Sequence, residues 1–315
     1  MRVATIDIGT NTTLLLVAEQ DARGQVRTLC ERAEITRLGR GIGSDGQLQQ
    51  PNIDRTLHVL SAYAKEAKQH NARVLAIGTE GLRRAPNAAA FLDRAQQILG
   101  TAVQVISGDR EAELSFLSAQ RSFPSQTQGS AVVVDIGGGS TEIIIAIAGQ
   151  VSFRQSLPLG SVRLTEMFIR NDPPEDDEVV RLNEHIAALL RDVPFPSQAR
   201  LIGTAGTVTT IAAMAQGLVD YDPAKVHGYR LTMGSLRAQE ERLRRANQSE
   251  RELMPGLDPR RADVIFAGAT LLRGIAEQAN ASDVLVSDRG IRWGLLFDEL
   301  DRATQPGVAG PPTQG

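Results

Sequence analysis

The chain has 315 residues, 42% of them hydrophobic, and a formal net charge of −3. That length suits two packed domains better than one, and the slightly acidic balance excludes the basic field that general nucleic-acid binding needs. No apolar run reaches the ~20 residues of a membrane span, and a single cysteine, Cys30, excludes a disulfide framework or a thiolate metal site.

Residues 2–8 (RVATIDI) form an apolar run rich in β-branched residues and predict a buried strand. The same run leaves no room for a cleavable leader, so a soluble, reducing compartment is expected. Residues 13–19 predict a second strand and 25–31 a third, with a turn composition at Gly9-Thr10-Asn11-Thr12 between the first two. Gly39, Gly41, Gly43 and Gly46 mark a mobile loop. After Pro51, the positions Ile53, Leu57, Leu60, Ala64 and Ala67 recur at helical spacing. Residues 73–78 predict a strand, and 88–99 a helix with Asn87 as N-cap and Gly100 just past its end. A strand at 102–106 and a helix from about 109 to 120 follow.

The polar segment 122–129 reads as a lobe boundary. The opening pattern then returns: 131–136 (AVVVDI) is an apolar strand, followed by Gly137-Gly138-Gly139-Ser140-Thr141 and a second apolar strand, 142–148. Asp-Ile-Gly therefore occurs at position 7 and again at 135, each time between two strands, which points to an internal duplication. Further helices are expected near 175–192, 235–246, 259–279 and 291–303. Short strands fall at 200–202 and 284–286. Gly203-Thr204-Ala205-Gly206-Thr207 joins the first of these strands to an apolar helix at 208–215. The Pro/Gly-rich residues 304–315 predict a disordered tail.

Glycine and small hydroxyl residues at the two Asp-Ile-Gly turns let backbone N–H groups converge, the arrangement that binds phosphate oxygens. Thr10, Thr12, Ser140 and Thr141 add hydroxyls. Asp7 and Asp135, at strand ends, suit Mg²⁺, which takes a few carboxylates plus phosphate oxygens. One such turn alone would read as an ordinary hairpin; two shift the reading to a phosphate site. Gly206 and Thr207 open a helix whose N-terminus suits an anion, or simply make a tight connection. Only three of the 34 basic residues are lysines (Lys65, Lys68, Lys225). Codon usage accounts for most of that imbalance, so weight falls on arginines inside motifs, such as Arg83 in TEGLRR. A surface role competes there. Glu111 sits where the helix dipole favours any acid, and the residues alone do not choose it over Glu80, Glu113 or Glu142. His58, His70, His185 and His227 lack metal-ligand spacing; His227, in a loop-like stretch, is a weak candidate for substrate contact. No hydrolase elbow surrounds Ser140.

Five stretches together resemble the exopolyphosphatase / guanosine pentaphosphate phosphohydrolase family of the actin-like ATPase superfamily. They are IDIGTNTTLLLV (6–17), GTEGLRRAPN (78–87), ISGDREAELSFL (106–117), VDIGGGSTEI (134–143) and GTAGTVTT (203–210). Weaker support comes from GSVRLTE (160–166), RADVIFAGA (261–269) and VSDRGIRWG (286–294). The resemblance spans nearly the whole chain. It implies an α/β fold of two actin-like, ribonuclease H-like lobes with a duplicated mixed β-sheet core flanked by helices and a cleft between them. The expected division is 1–123 and 124–297, with a last helical segment near 298–303 packing back on the first lobe, in the short two-domain form.

The resemblance further implies that Glu111 is the catalytic base and that Asp7, Asp135 and Glu142 flank a divalent cation, Mg²⁺ with Mn²⁺ as the alternative. Phosphate would be bound by Gly9, Thr10, Asn11, Thr12 and Arg83 from one lobe, and by Gly137, Gly138, Gly139, Ser140, Thr141, Gly206 and Thr207 from the other. The implied activity is release of terminal orthophosphate from inorganic polyphosphate, with guanosine pentaphosphate as the alternative substrate. An actin-like kinase and a phosphate-ligand sensor are the competing classes. A cytoplasmic location, no nucleic-acid or membrane partner, and room for a homodimer complete the expectation. Four positions depart from the family pattern: Arg110, Ala205, Thr12 and Trp293.

Overall fold

The computed structural model describes residues 1–42 and 46–304. The expected disordered tail, apart from Thr304, and the loop glycine Gly43 lie outside the described residues. Two β-sheets organise the chain. The first has the order β3-β2-β1-β4-β5, from β1 (Arg2–Ile8), β2 (Thr12–Gln20), β3 (Val26–Ile35), β4 (Arg73–Gly78) and β5 (Val103–Val105). The second runs β10-β11-β9-β6-β7-β8, from β6 (Ala131–Ile136), β7 (Thr141–Ile147), β8 (Gln150–Leu157), β9 (Arg200–Thr204), β10 (Arg230–Thr232) and β11 (Asp283–Val286).

The sheets share one plan. In each, the first strand of an antiparallel three-strand meander pairs in parallel with one further strand, β4 or β9, which pairs in parallel with the next, β5 or β11. The second sheet adds β10 as an antiparallel edge. The two Asp-Ile-Gly turns are closed by the same hydrogen bond. Gly9 N–H donates to Thr12 O at 3.0 Å, and Gly137 N–H donates to Ser140 O at 3.0 Å. Thr12 thus corresponds to Ser140 and Leu14 to Glu142. The duplicated two-lobed α/β architecture that the resemblance implies is the one observed.

Alternating residues send side chains to opposite sheet faces, and each sheet uses both. On the first sheet, Ala4, Ile6, Ile8, Leu15 and Val17 pack beneath α1 (Gln50–Gln69), the short α2 (Glu80–Arg84) and α3 (Ala88–Leu99). On the second, Val132, Val134, Ile136, Ile143 and Ile145 join the core that holds the helices between β8 and β11. Those helices are α6 (Ser161–Phe168), α7 (Asp176–Leu190), α8 (Ala205–Ala215), α9 (Pro223–Val226), α10 (Met233–Arg245), α11 (Gln248–Glu252) and α12 (Ile265–Gln278). The opposite faces are covered by an exchange. Helix α4 (Gly108–Ser122), leaving the first sheet, lays Ala112, Phe116 and Ala119 on Val133, Ile144 and Ile202 of the second. The short α5 (Pro124–Thr127) follows it. Helix α13 (Ile291–Thr304), leaving the second sheet, lays Trp293, Leu296 and Leu300 on Val3, Leu16 and Ala18 of the first. The two exchanged helices touch. A methyl group added at Gly294 would stand 2.9 Å from Leu114 Cα, so glycine sets their approach.

Several local expectations change. Asn87 precedes α3, but its side chain does not cap it; its amide exchanges hydrogen bonds with Leu48 N–H and O at 2.9 and 3.0 Å. The helix expected over 259–279 is broken. A 3-10 turn at Pro259–Arg261, capped by Asp258, precedes α12, which starts only at Ile265. Around residues 37–41 the glycine loop is tied to the first turn and to Asp263. Gly39 N–H donates to Thr10 O at 2.8 Å, Arg37 N–H donates to Asn11 O at 2.9 Å, and Arg40 pairs with Asp263 at 2.9 Å.

Candidate active site

The two hairpin turns face each other across a cavity of about 580 Å³ between the sheets. Each turn presents unpaired backbone donors. Among the described residues, the N–H groups of Thr10, Asn11, Gly138 and Gly139 have no backbone acceptor. The buried side-chain amide nitrogen of Asn11 also lacks a partner. The turn tips are in contact, since a Cβ at Gly138 would stand 3.0 Å from Asn11 Cβ. From the second lobe, β9 enters α8 through Ala205, whose φ of 69° is left-handed. Such strain persists only where the surroundings hold it, and here it turns the α8 N-terminus, with Gly206 and Thr207, onto the cavity wall.

Four carboxylates converge. Asp7 is next to last in β1 and Asp135 next to last in β6, Glu142 is Asp135's cross-strand partner on β7, and Glu111 sits in the first turn of α4. All four are buried and line the cavity. Ser115 Oγ donates to Asp135 at 2.7 Å, and one oxygen of Glu142 accepts from Ser140 Oγ and Ser156 Oγ at 2.9 and 2.7 Å. Among the described residues, Asp7 Oδ1 has no partner. Glu111 is held by Arg83 Nη1 at 2.7 Å, and the same nitrogen donates to Ile106 O at 2.6 Å.

Crowding acids out of water favours their neutral forms. Burial, with the charges of Asp135 and Glu142, pushes Asp7 up to about 7 against the pull of Arg292. Burial raises Asp135, and Ser115 partly offsets it. Burial and the charges of Glu111 and Asp135 hold Glu142 well above the usual carboxylate range. Burial pushes Glu111 up to about 8, opposed by Arg83 and aided by Asp7 and Asp135. A hard cation fits this donor set, because it would relieve the repulsion and satisfy Asp7 Oδ1. Among the described residues no three acidic or histidine side chains form a ready metal cage. The ion would therefore be held by one or two carboxylates, with water and phosphate oxygens completing its shell.

The cavity gathers nearly every residue expected from the sequence. Asp7, Gly9, Thr10, Asn11 and Thr12 line it from the first lobe, as does Glu111. Asp135, Gly137, Gly138, Gly139, Ser140, Glu142, Gly206 and Thr207 line it from the second. Arg83 and Thr141 do not. Arg83 stands behind Glu111, and the Thr141 hydroxyl is turned away to donate to Leu159 O at 2.5 Å. His227 is also absent from the lining: it stacks on Phe123 with ring centres 4.7 Å apart, and burial lowers it to about 4. Two of the departures are structural. Arg110 ties Glu113 to Asp298 of α13, and Trp293 packs on the first sheet under Arg289. Thr12 keeps its hydroxyl in use, accepting from Arg261 Nη2 at 3.0 Å.

The cavity also holds cations that no sequence signal singled out. Arg261 lies against the Gly206 backbone, where a Cβ would stand 2.6 Å from its Cζ. Arg292 is buried at the base and pairs with Glu31 at 2.8 Å. Beyond these, Leu14, Ile35, Leu257 and Tyr221 give the cleft an apolar stretch.

The model of the Ppx/GppA phosphatase family matches residues 16–303. Exopolyphosphatase 2 of Mycobacterium tuberculosis is 36% identical over 313 residues, covering 94% of this chain and 98% of its own. The Ppx/GppA family member of Aquifex aeolicus superposes with a TM-score of 0.83 at 36% identity, over 97% of this chain and 99% of that one. An exopolyphosphatase of Cytophaga hutchinsonii gives a TM-score of 0.89 at 28% identity, with 96% and 98% covered.

Proposed function

The chain belongs to the Ppx/GppA phosphatase family, and we propose that it is an exopolyphosphatase releasing terminal orthophosphate from inorganic polyphosphate by attack of water. One observation carries the reading. A buried carboxylate, Glu111, faces the same cavity as two turns whose N–H groups at Thr10, Asn11, Gly138 and Gly139 have no backbone acceptor among the described residues. Such donors stabilise charge on a transferring phosphoryl group without reorganising.

In this mechanism the N–H groups of Thr10, Asn11, Gly138 and Gly139 hold the terminal phosphate oxygens. The Asn11 amide, the Ser140 hydroxyl and the α8 N-terminus at Gly206 and Thr207 add donors. Glu111 accepts a proton from water as the water oxygen bonds to the terminal phosphorus. The bridging P–O bond breaks, and the shortened chain leaves with that oxygen. Arg83 orients Glu111 and favours its ionised form. A divalent cation, Mg²⁺ with Mn²⁺ as the alternative, is proposed to be held by one or two of Asp7, Asp135 and Glu142, the others acting through water, and it would neutralise phosphate charge. The Thr141 hydroxyl, given to Leu159, supports the hairpin rather than the phosphate.

The apolar stretch at Leu14, Ile35, Leu257 and Tyr221 favours a second substrate reading, guanosine pentaphosphate, whose nucleoside would need such a surface. A division into lobes 1–123 and 124–297, a cytoplasmic location, a homodimer and the absence of nucleic-acid partners belong to the same proposal. The first and second are supported by the two sheets and by the single cysteine, respectively. Among the described residues no helix is long and apolar enough to cross a membrane. The test is orthophosphate release with Mg²⁺ from polyphosphate, guanosine pentaphosphate and ATP. Release from polyphosphate supports the proposal. Release from the guanosine nucleotide alone changes the substrate, and release from none overturns it.

A further inference from the structure

Glu80 is a cavity carboxylate that the hydrolysis scheme does not use. It begins α2, it is 7% exposed, and it touches both phosphate turns. Thr10 Oγ1 donates to its Oε2 at 3.2 Å. Its Oε1 takes Arg84 Nη1 at 3.0 Å and, from the opposite lobe, Arg163 Nη2. Arg163 uses the other side of its fork, Nε, to hold Gly139 O at 2.9 Å. The approach is so close that a Cβ at Gly139 would stand 2.7 Å from Glu80 Cδ. One carboxylate and one guanidinium thus link the tip of the first turn to the tip of the second.

We propose that Glu80 and Arg163 form a positioning clasp that sets the spacing of the two phosphate turns across the cleft; this rests on the hydrolase reading above. The planar fork matters, because a lysine at 163 could reach Glu80 or Gly139 O but not both in this geometry. With the Thr10 hydroxyl proton given to Glu80, the backbone N–H groups of Thr10 and Asn11 are left to meet phosphate. Their distance from the N–H groups of Gly138 and Gly139 is then what the clasp fixes. Arg84, more than half exposed, holds Glu80 from the solvent side and contributes little.

The test uses the full-length chain with Glu80→Gln, Arg163→Lys, the double variant, and Arg84→Ala as control. Misplacing a reacting group by about 1 Å can cost about a hundredfold. Each single clasp variant is therefore expected to lower kcat on polyphosphate at least about tenfold, with KM changed less than about threefold and Tm nearly unchanged. Residues sharing one contact couple, so the double variant should lose no more than the worse single one. Hydrogen exchange at residues 9–11 and 137–140 should accelerate in both single variants, a readout that needs no turnover. Exchange unchanged at both turns, multiplicative losses in the double variant, or losses that follow Tm would overturn the clasp. A wild-type chain inert on every phosphoanhydride would instead sink the hydrolase reading, and the exchange experiment would still decide the clasp.

Discussion

Glu111→Gln removes the proposed base while leaving an oxygen of the same shape for Arg83. Positioned general bases contribute about 10²- to 10⁴-fold, or about 2.7–5.4 kcal/mol of transition-state free energy at about 1.36 kcal/mol per tenfold. The variant's kcat for orthophosphate release should fall by that factor. Stability should change little, because the interactions lost oppose one another. The ionised Glu111 is attracted by Arg83 but suffers burial and the charges of Asp7 and Asp135. Rate and Tm are measured together across pH. Wild-type kcat/KM should rise with pH as Glu111 ionises, since only the carboxylate can take the proton. Without a cation that carboxyl is pushed up to about 8, and a bound cation, by screening Asp7 and Asp135, moves the rise below 8. The variant's residual rate should lack this acid limb. A variant within tenfold of wild type, or one that keeps the limb, would refute the assignment of Glu111.

Metal-free stability should fall between pH 6.5 and 8. Asp7 and Glu111 have folded values of about 7 and 8, far above their unfolded ones, so the folded state binds more protons in this window. The stability they give is whole below about pH 4 and is lost as pH rises through those values, at about 1.4 kcal/mol per pH unit for each extra proton. Mg²⁺ at pH 8 should restore the Tm; a metal-free Tm that climbs from 6.5 to 8 would contradict this. His227, lowered to about 4, works in the opposite sense only below 6.5. Gly160→Ala would place a methyl 2.5 Å from Gly139 N, so the second turn must move, and kcat should drop about tenfold or more with a small Tm change. Gly294→Ala sets a methyl 2.6 Å from Leu114 C, forcing α13 off α4. Overpacking of this kind costs about 1–3 kcal/mol, which chemical denaturation would show as a lower midpoint.

Strong local periodicity made much of the fold readable. The runs at 2–8, 73–78 and 131–136 became β1, β4 and β6, and Gly100 adopts the left-handed conformation that ends α3. Elements with weak patterns went unnoticed. Strand β8, QVSFRQSL, is an exposed edge and carries little apolar signal, and α2 is five residues long. The packing of α4 on the second sheet was also hidden, because an amphipathic face does not say which sheet it covers; the return of the last helix to the first lobe was expected only through the family resemblance. At the site, the repeated turns were legible as a repeat. Glu80, Arg163, Arg261 and Arg292 were not, since each acquires its meaning from a partner far away in the chain. Glu80 lies 83 residues from Arg163, and Arg261 lies 249 from Thr12. Arg83 was read as a phosphate ligand, but its grip on Glu111 depends on where α4 starts.

The central claim is that water attacks the terminal phosphorus, and turnover of polyphosphate in ¹⁸O-labelled water tests it most directly. One ¹⁸O is expected in each released orthophosphate and none in the shortened chain, read by mass spectrometry. Label in the chain, with unlabelled orthophosphate released, would place the attack on the penultimate phosphorus and contradict it.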